Sequence, residues 1–131
     1  MKTLKFLKTI GIAISATVLM YACKPADPPI ITLEAPEDGA VFYAGYDVHF
    51  ATMLADSIGL ASYGVQITDK EEKVTCGWTW DLPDVKEQFI HHHEIIIPKD
   101  AVPGDYIFTI TCKNKKGKTS RVSKNIGIIT P

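Results

Sequence analysis

The sequence carries none of the short signatures that mark common catalytic sites. It has no GxSxG, no HExxH, no phosphate-cradling glycine loop and no CxxC. Serines are few, and two of the three cysteines, Cys76 and Cys112, fall on apolar faces, unlike activated thiolates. The chain is therefore expected not to be an enzyme, and no cofactor is implied. A basic surface is missing too. Lysine and arginine total 14 against 15 acidic residues, a formal net charge of −1, which leaves no electrostatic footprint for nucleic acid. Beyond the first residues, no segment places a convincing run of apolar residues at helical spacing.

What the chain does have begins at its start. Lys2, Lys5 and Lys8 precede any acidic residue, the first being Asp27, and Ile10 to Ala22 is a run of apolar or small residues. That run falls short of the ~20 apolar residues of a membrane span and has the form of a secretory signal. It ends at Ala22-Cys23, which resembles a bacterial lipobox, with Met20 and Tyr21 departing from the commonest residues before it. Residues 1–22 are expected to be removed as a lipoprotein signal peptide and Cys23 to be lipidated. Ordinary cleavage near Ala22 and an uncleaved anchor are the alternatives. Removal takes Lys2, Lys5 and Lys8 away and moves the formal charge from −1 to −4. Residues 23–29, with Lys24 to Pro29 reading KPADPP, form an extended tether to the membrane.

Residues 30–131 read as one domain of short strands bounded by turns. Val48, Phe50, Thr52 and Leu54 alternate onto one face, as do Ala61, Tyr63, Val65 and Ile67. The same holds for Val74, Cys76, Trp78 and Trp80, and for Tyr106, Phe108, Ile110 and Cys112. The last strand turns Val122, Ile126 and Ile128 inward. Period-2 alternation with regular turn signals marks an antiparallel sandwich. About seven strands in about 100 residues fit an immunoglobulin-like fold, with a small barrel as the alternative.

Two segments carry more than a generic β pattern. One is Pro36-x-x-Gly39, then Gly45, then Asp56-x-x-Gly59-Leu60; the other is Ile97-Pro98, Pro103-Gly104-Asp105-Tyr106 and Asn114-Lys115-Lys116-Gly117. They resemble the Ig-like repeats of bacterial cell-surface proteins. With His91-His92-His93 ahead of Ile95-Ile96-Ile97-Pro98, the mature chain is similar to a family of uncharacterised Bacteroidetes lipoproteins with a single Ig-like domain. The resemblance implies the fold and a cell-envelope location, lipid-anchored in the outer membrane and facing periplasm or surface. It implies no activity. Tyr106 is placed like a tyrosine-corner residue whose hydroxyl bonds back to the backbone.

Candidate sites are few. Trp78 and Trp80 share a face as a sugar-stacking platform requires; Trp80 is the stronger candidate, because Trp78 lies deeper in its strand. His91 and His93 point to one face of a strand, and His49 would complete a metal set, since Zn²⁺ normally takes three or four ligands. Cys76 and Cys112 either form a disulfide or remain buried thiols. The leading expectation is a non-enzymatic binding or scaffolding module held to the membrane by its lipid and serving a protein or glycan partner. A carbohydrate-binding accessory role and metal capture through the His91–His93 strand are the alternatives.

Overall fold

A computed structural model describes residues 27–91 and 95–131. The signal, Cys23 and His93 lie outside the described residues. Ten strand segments follow in order: β1 Ile30–Ala35, β2 Ala40–Tyr43, β3 Asp47–Val48, β4 Ala51–Ala55, β5 Leu60–Asp69, β6 Val74–Asp81, β7 Glu87–His91, β8 Ile95–Ile96, β9 Gly104–Asn114 and β10 Thr119–Ile129. They form a three-stranded sheet β1-β4-β7, a five-stranded sheet β2-β10-β9-β5-β6 and the short pair β3-β8. Joining β1 to β2, β3 to β4 and β7 to β8 reduces the ten segments to the seven strands of an Ig-like sandwich.

Alternation places the core where the sequence implies. Val48, Phe50, Thr52 and Leu54 are buried from one layer, and Tyr63, Val65, Ile67, Tyr106, Phe108, Ile110 and Cys112 from the other. Phe50 and Phe108 meet across the layers with ring centroids 5.9 Å apart. Each such side chain contributes roughly 1.5–3 kcal/mol by leaving water. Thr52 is tolerated in this core because its hydroxyl donates to the Thr32 carbonyl at 3.1 Å.

The expectation of a wholly antiparallel sandwich needs one correction. β2 pairs with β10 in parallel, Ala40 opposite Ile126 through Tyr43 opposite Ile129. The turn at Pro36 to Gly39 carries the first strand from one sheet to the other, so its second half arrives in the same direction as β10. Gly39 takes φ +87° there, a conformation that costs glycine little. Tyr106 makes the expected corner, its hydroxyl donating to the Val102 carbonyl at 2.5 Å.

One pole is knit by buried polar groups. Asn114, 1% exposed, donates from Nδ2 to the Asp27 carbonyl and to Asp56 Oδ1, both at 3.1 Å. Its Oδ1 accepts from the amides of Lys116 and Lys118. Asp56 in turn accepts from the amides of Ile58 and Gly59 at 2.9 Å. Burial works to raise the Asp56 pKa, but the Gly59 amide, the Asn114 side chain and the Ile58 amide outweigh it and hold the carboxyl below its usual value. The DxxG turn and the NKKG hairpin are thereby one joint.

Candidate functional site

β6 is an edge strand of the five-stranded sheet, bonded to β5 alone among the described residues. Its inward positions follow from the register, Cys76 opposite Ile67, Trp78 opposite Val65 and Trp80 opposite Tyr63. Among the described residues the facing sheet has three strands and ends at β7, so part of β6 is uncovered. Trp78 is 42% exposed although it lies on the same face as the buried Val65. Trp80 packs against the core and stacks on Tyr63, with centroids 4.9 Å apart and planes 23° from parallel. The expected ranking by depth is thus reversed: Trp78 is the more exposed of the two. Position along a strand does not set depth when the strand lies at the edge of its sheet.

Trp80 and Tyr63 line a cleft of about 420 Å³ between the end of β6 and β7, together with Asp81, Leu82, Gln88 and Ile90. An aromatic wall with a carboxylate and an amide beside it has the chemistry to hold an amphipathic ligand. Burial pushes the Tyr63 hydroxyl up to about 12, so it stays protonated and able to donate. On the outer face of β7, Phe89 is 44% exposed and its ring stacks with His91, centroids 6.1 Å apart.

The histidines are placed as follows. His49 lies between β3 and β4 and its Nε2 is 3.1 Å from Asp47 Oδ2. Ala51 pairs with His91 and Val48 with Ile95, which brings His49 near the end of β7 at His91. His49 and His91 share the outward face, because Phe50 and Ile90 turn inward. No group of three or more His, Cys, Asp or Glu side chains with metal-holding geometry occurs among the described residues, and His93 is not one of them.

The suggested Cys76–Cys112 disulfide is not formed; both are free thiols. Cys76 lies opposite Ile67 and Cys112 opposite Tyr63, on the two flanks of β5. That register separates them by two strand spacings, roughly 10 Å, and by four residues of rise, roughly 13 Å, whereas a disulfide needs Cα atoms within about 7 Å. Burial pushes the Cys76 thiol up to about 11. Cys112 also stands at about 11, through burial first and then the charge of Asp56. Neither is an activated nucleophile.

Asn114 is the residue whose role sequence reasoning missed. Asn-x-x-Gly reads as a turn, and the only further signal was an asparagine in a segment otherwise made of lysines.

Among solved structures, the fibronectin(III)-like modules of Clostridium thermocellum CbhA are similar at 13% identity and a TM-score of 0.48, covering 76% of this chain and 94% of that one. The PKD1 domain of Vibrio anguillarum Epp is similar at 15% identity and a TM-score of 0.40, covering 82% of this chain and 100% of that one. Spo0M, a sporulation control protein from Bacillus subtilis, is similar at 9% identity and a TM-score of 0.54, covering 82% of this chain and 51% of that one. These likenesses concern the fold alone. No curated protein matches the chain. Residues 21–129 match the model of a domain of unknown function, DUF4625, and the chain belongs to that family.

Proposed function

We propose that this DUF4625 chain is a non-enzymatic binding module, held at the cell envelope by a lipid on Cys23, whose partner surface is the open β6 side of the sandwich. The observation that carries this reading is the exposure of Trp78 beside the Trp80–Tyr63 stack at an edge strand. Exposed aromatics of this kind are costly to leave in water and are enriched where proteins bind. An edge strand adds a row of backbone donors and acceptors that an extended partner segment can pair with.

A glycan is the second reading. Trp80 supplies an aromatic wall, and Asp81 and Gln88 supply hydrogen-bonding groups at the same cleft, the combination that suits a pyranose ring. Metal capture has no three-ligand group among the described residues, and His93 is not one of those. The test is tryptophan fluorescence of the mature chain against a glycan panel, run beside affinity capture from envelope extracts. Either ligand should be weakened by Trp78→Ala, which removes an exposed ring, or by Trp80→Phe, which keeps a ring against Tyr63 and the core. A ligand whose affinity is unchanged by both substitutions would remove the β6 side from consideration.

A further inference from the structure

The chain enters the sandwich at one pole, and that pole carries a lysine hairpin. Asn114 Nδ2 donates to the Asp27 carbonyl and the Ser120 hydroxyl donates to the Pro29 carbonyl. The entering chain is therefore laid against the base of the β9–β10 hairpin. The hairpin reads Lys113-Asn114-Lys115-Lys116-Gly117-Lys118, and all four lysines are exposed. Lys115 is held by Asp84. Lys113, Lys116 and Lys118 form no ion pair among the described residues. Asp56 is turned inward onto Asn114 and two amides; Asp27, Asp81 and Glu87 lie at the strand ends around it, with Lys86.

The five lysines of this pole are matched by Asp27, Asp56, Asp81, Asp84 and Glu87, so it is near neutral with its unpaired lysines at the hairpin, whereas the opposite pole is acidic. Glu37, Asp38, Asp69, Glu71, Glu72 and Asp105 gather there, against Lys70, Lys73 and Lys99. The register places them together: Asp69 is opposite Tyr106, and Asp38 accepts from the Asn125 amide, whose residue is opposite Ile107. Charge is thus uneven along the long axis, net acidic at the far pole and near neutral at the end where the chain enters, with the lysine hairpin exposed there.

Cys23 is four residues from Asp27, so chain length alone holds Asp27 within about 14 Å of the Cys23 sulfur. A lysine side chain at that pole then works within reach of headgroup phosphates, at a distance comparable with the Debye length of about 8 Å in physiological salt. We infer that the Lys113–Lys118 hairpin is a second, electrostatic membrane contact that docks on anionic phospholipid headgroups and holds the domain upright on its anchor. The inference rests on the lipid-anchor reading of Cys23. A short tether makes weak contacts count, because it keeps the hairpin at high effective concentration beside the surface. The acidic pole is repelled by the same surface, so attraction and repulsion select one orientation. That orientation leaves the β6 side facing sideways and open to a partner.

The test uses the chain from Cys23 to Pro131, which contains all ten strands, without its natural lipid. Cys23 is coupled to a maleimide lipid in vesicles of phosphatidylcholine alone, or of phosphatidylcholine mixed with phosphatidylglycerol. Cys76 and Cys112, with thiols at about 11, stay uncoupled at neutral pH. Each lysine is then scored for its rate of acetylation by an amine-reactive ester. The expected result is a slowing of at least fivefold at Lys113, Lys116 and Lys118 on the anionic vesicles, reversed by high salt, with Lys70, Lys73 and Lys99 unchanged. Each lysine near an anionic surface should shift the docked population about fivefold. Lys86 and Lys115, at the same pole, should slow as well, and replacing the three by glutamine should abolish that slowing. Equal rates on the two vesicle types, or equal slowing at both poles, would overturn the inference. Whether cells lipidate Cys23 is read separately from the mass of the native amino-terminal peptide, so the two ideas fail independently.

Discussion

Replacing Asn114 with alanine probes the joint between the tether, the DxxG turn and the last hairpin. The side chain is 1% exposed and makes four hydrogen bonds, to the Asp27 carbonyl, to Asp56 and from the amides of Lys116 and Lys118. The two amides belong to a hairpin exposed at its tip, where water can replace the lost acceptor. The Asp56 carboxylate and the Asp27 carbonyl have less access to such replacement, and a bond to a charged group contributes about 1.5–3 kcal/mol where a neutral one contributes about 1. Together they predict a loss of roughly 2–4 kcal/mol. For a domain of this size that lowers Tm by roughly 10–25 °C. Urea unfolding followed by tryptophan fluorescence measures it, and an unchanged slope would show that the folded state keeps its compactness. Asn114→Asp separates bonding from shape: it is nearly isosteric but sets a second carboxylate beside Asp56. Its deficit should be largest near neutral pH and shrink as the pair takes up a proton. A loss below about 1 kcal/mol for the alanine variant would refute the reasoning, because the joint would then not be holding the pole together.

Tyr106→Phe removes the hydroxyl that donates to Val102 and should cost about 0.5–1.5 kcal/mol in the same urea assay, with ligand binding untouched. The depressed Asp56 carboxyl binds its proton more weakly in the folded state than in the unfolded chain. Its stabilisation is therefore fully present above the ordinary value of 3.8 and lost as pH falls through the lower, folded pKa. Thermal melts from pH 6 down to about pH 2 should show this acid limb, and Asp56→Asn should flatten it. Cys76 and Cys112, raised to about 11 by burial, should resist a thiol reagent at pH 7 in the folded chain and both react in urea. A single reactive thiol or none in urea would contradict the free-thiol assignment.

Much of the fold was legible because one face of each strand is buried. In Tyr106, Phe108, Ile110 and Cys112 the alternation in the sequence is the alternation in the core, since a one-residue slip would turn all four to solvent. Alternation reports the face and says nothing of the lateral place of a strand in its sheet. Val74, Cys76, Trp78 and Trp80 alternate like a central strand, yet β6 is an edge, so alternation alone does not show that Trp78 is the more exposed tryptophan. Pro36-x-x-Gly39 was legible as a turn; which sheet receives the chain after it, and hence the parallel β2–β10 pairing, depends on contacts with residues more than 80 positions away. The cysteines show the same limit, for both lie on inward faces and only the register shows how far apart they are. The lysines of the NKKG hairpin were visible as a charged turn, but their place beside the tether needed the bond from Asn114 to Asp27.

The proposed lipid anchor on Cys23 is tested most directly by the intact mass of the chain recovered from cells, with fragmentation of the first peptide. The expected species begins at Cys23 and carries a diacylglyceryl group on its sulfur. Cys23→Ser should yield a chain that no longer partitions with detergent and whose domain melts at the wild-type temperature. A native chain that begins elsewhere, retains residues 1–22, or carries an unmodified Cys23 would contradict the account.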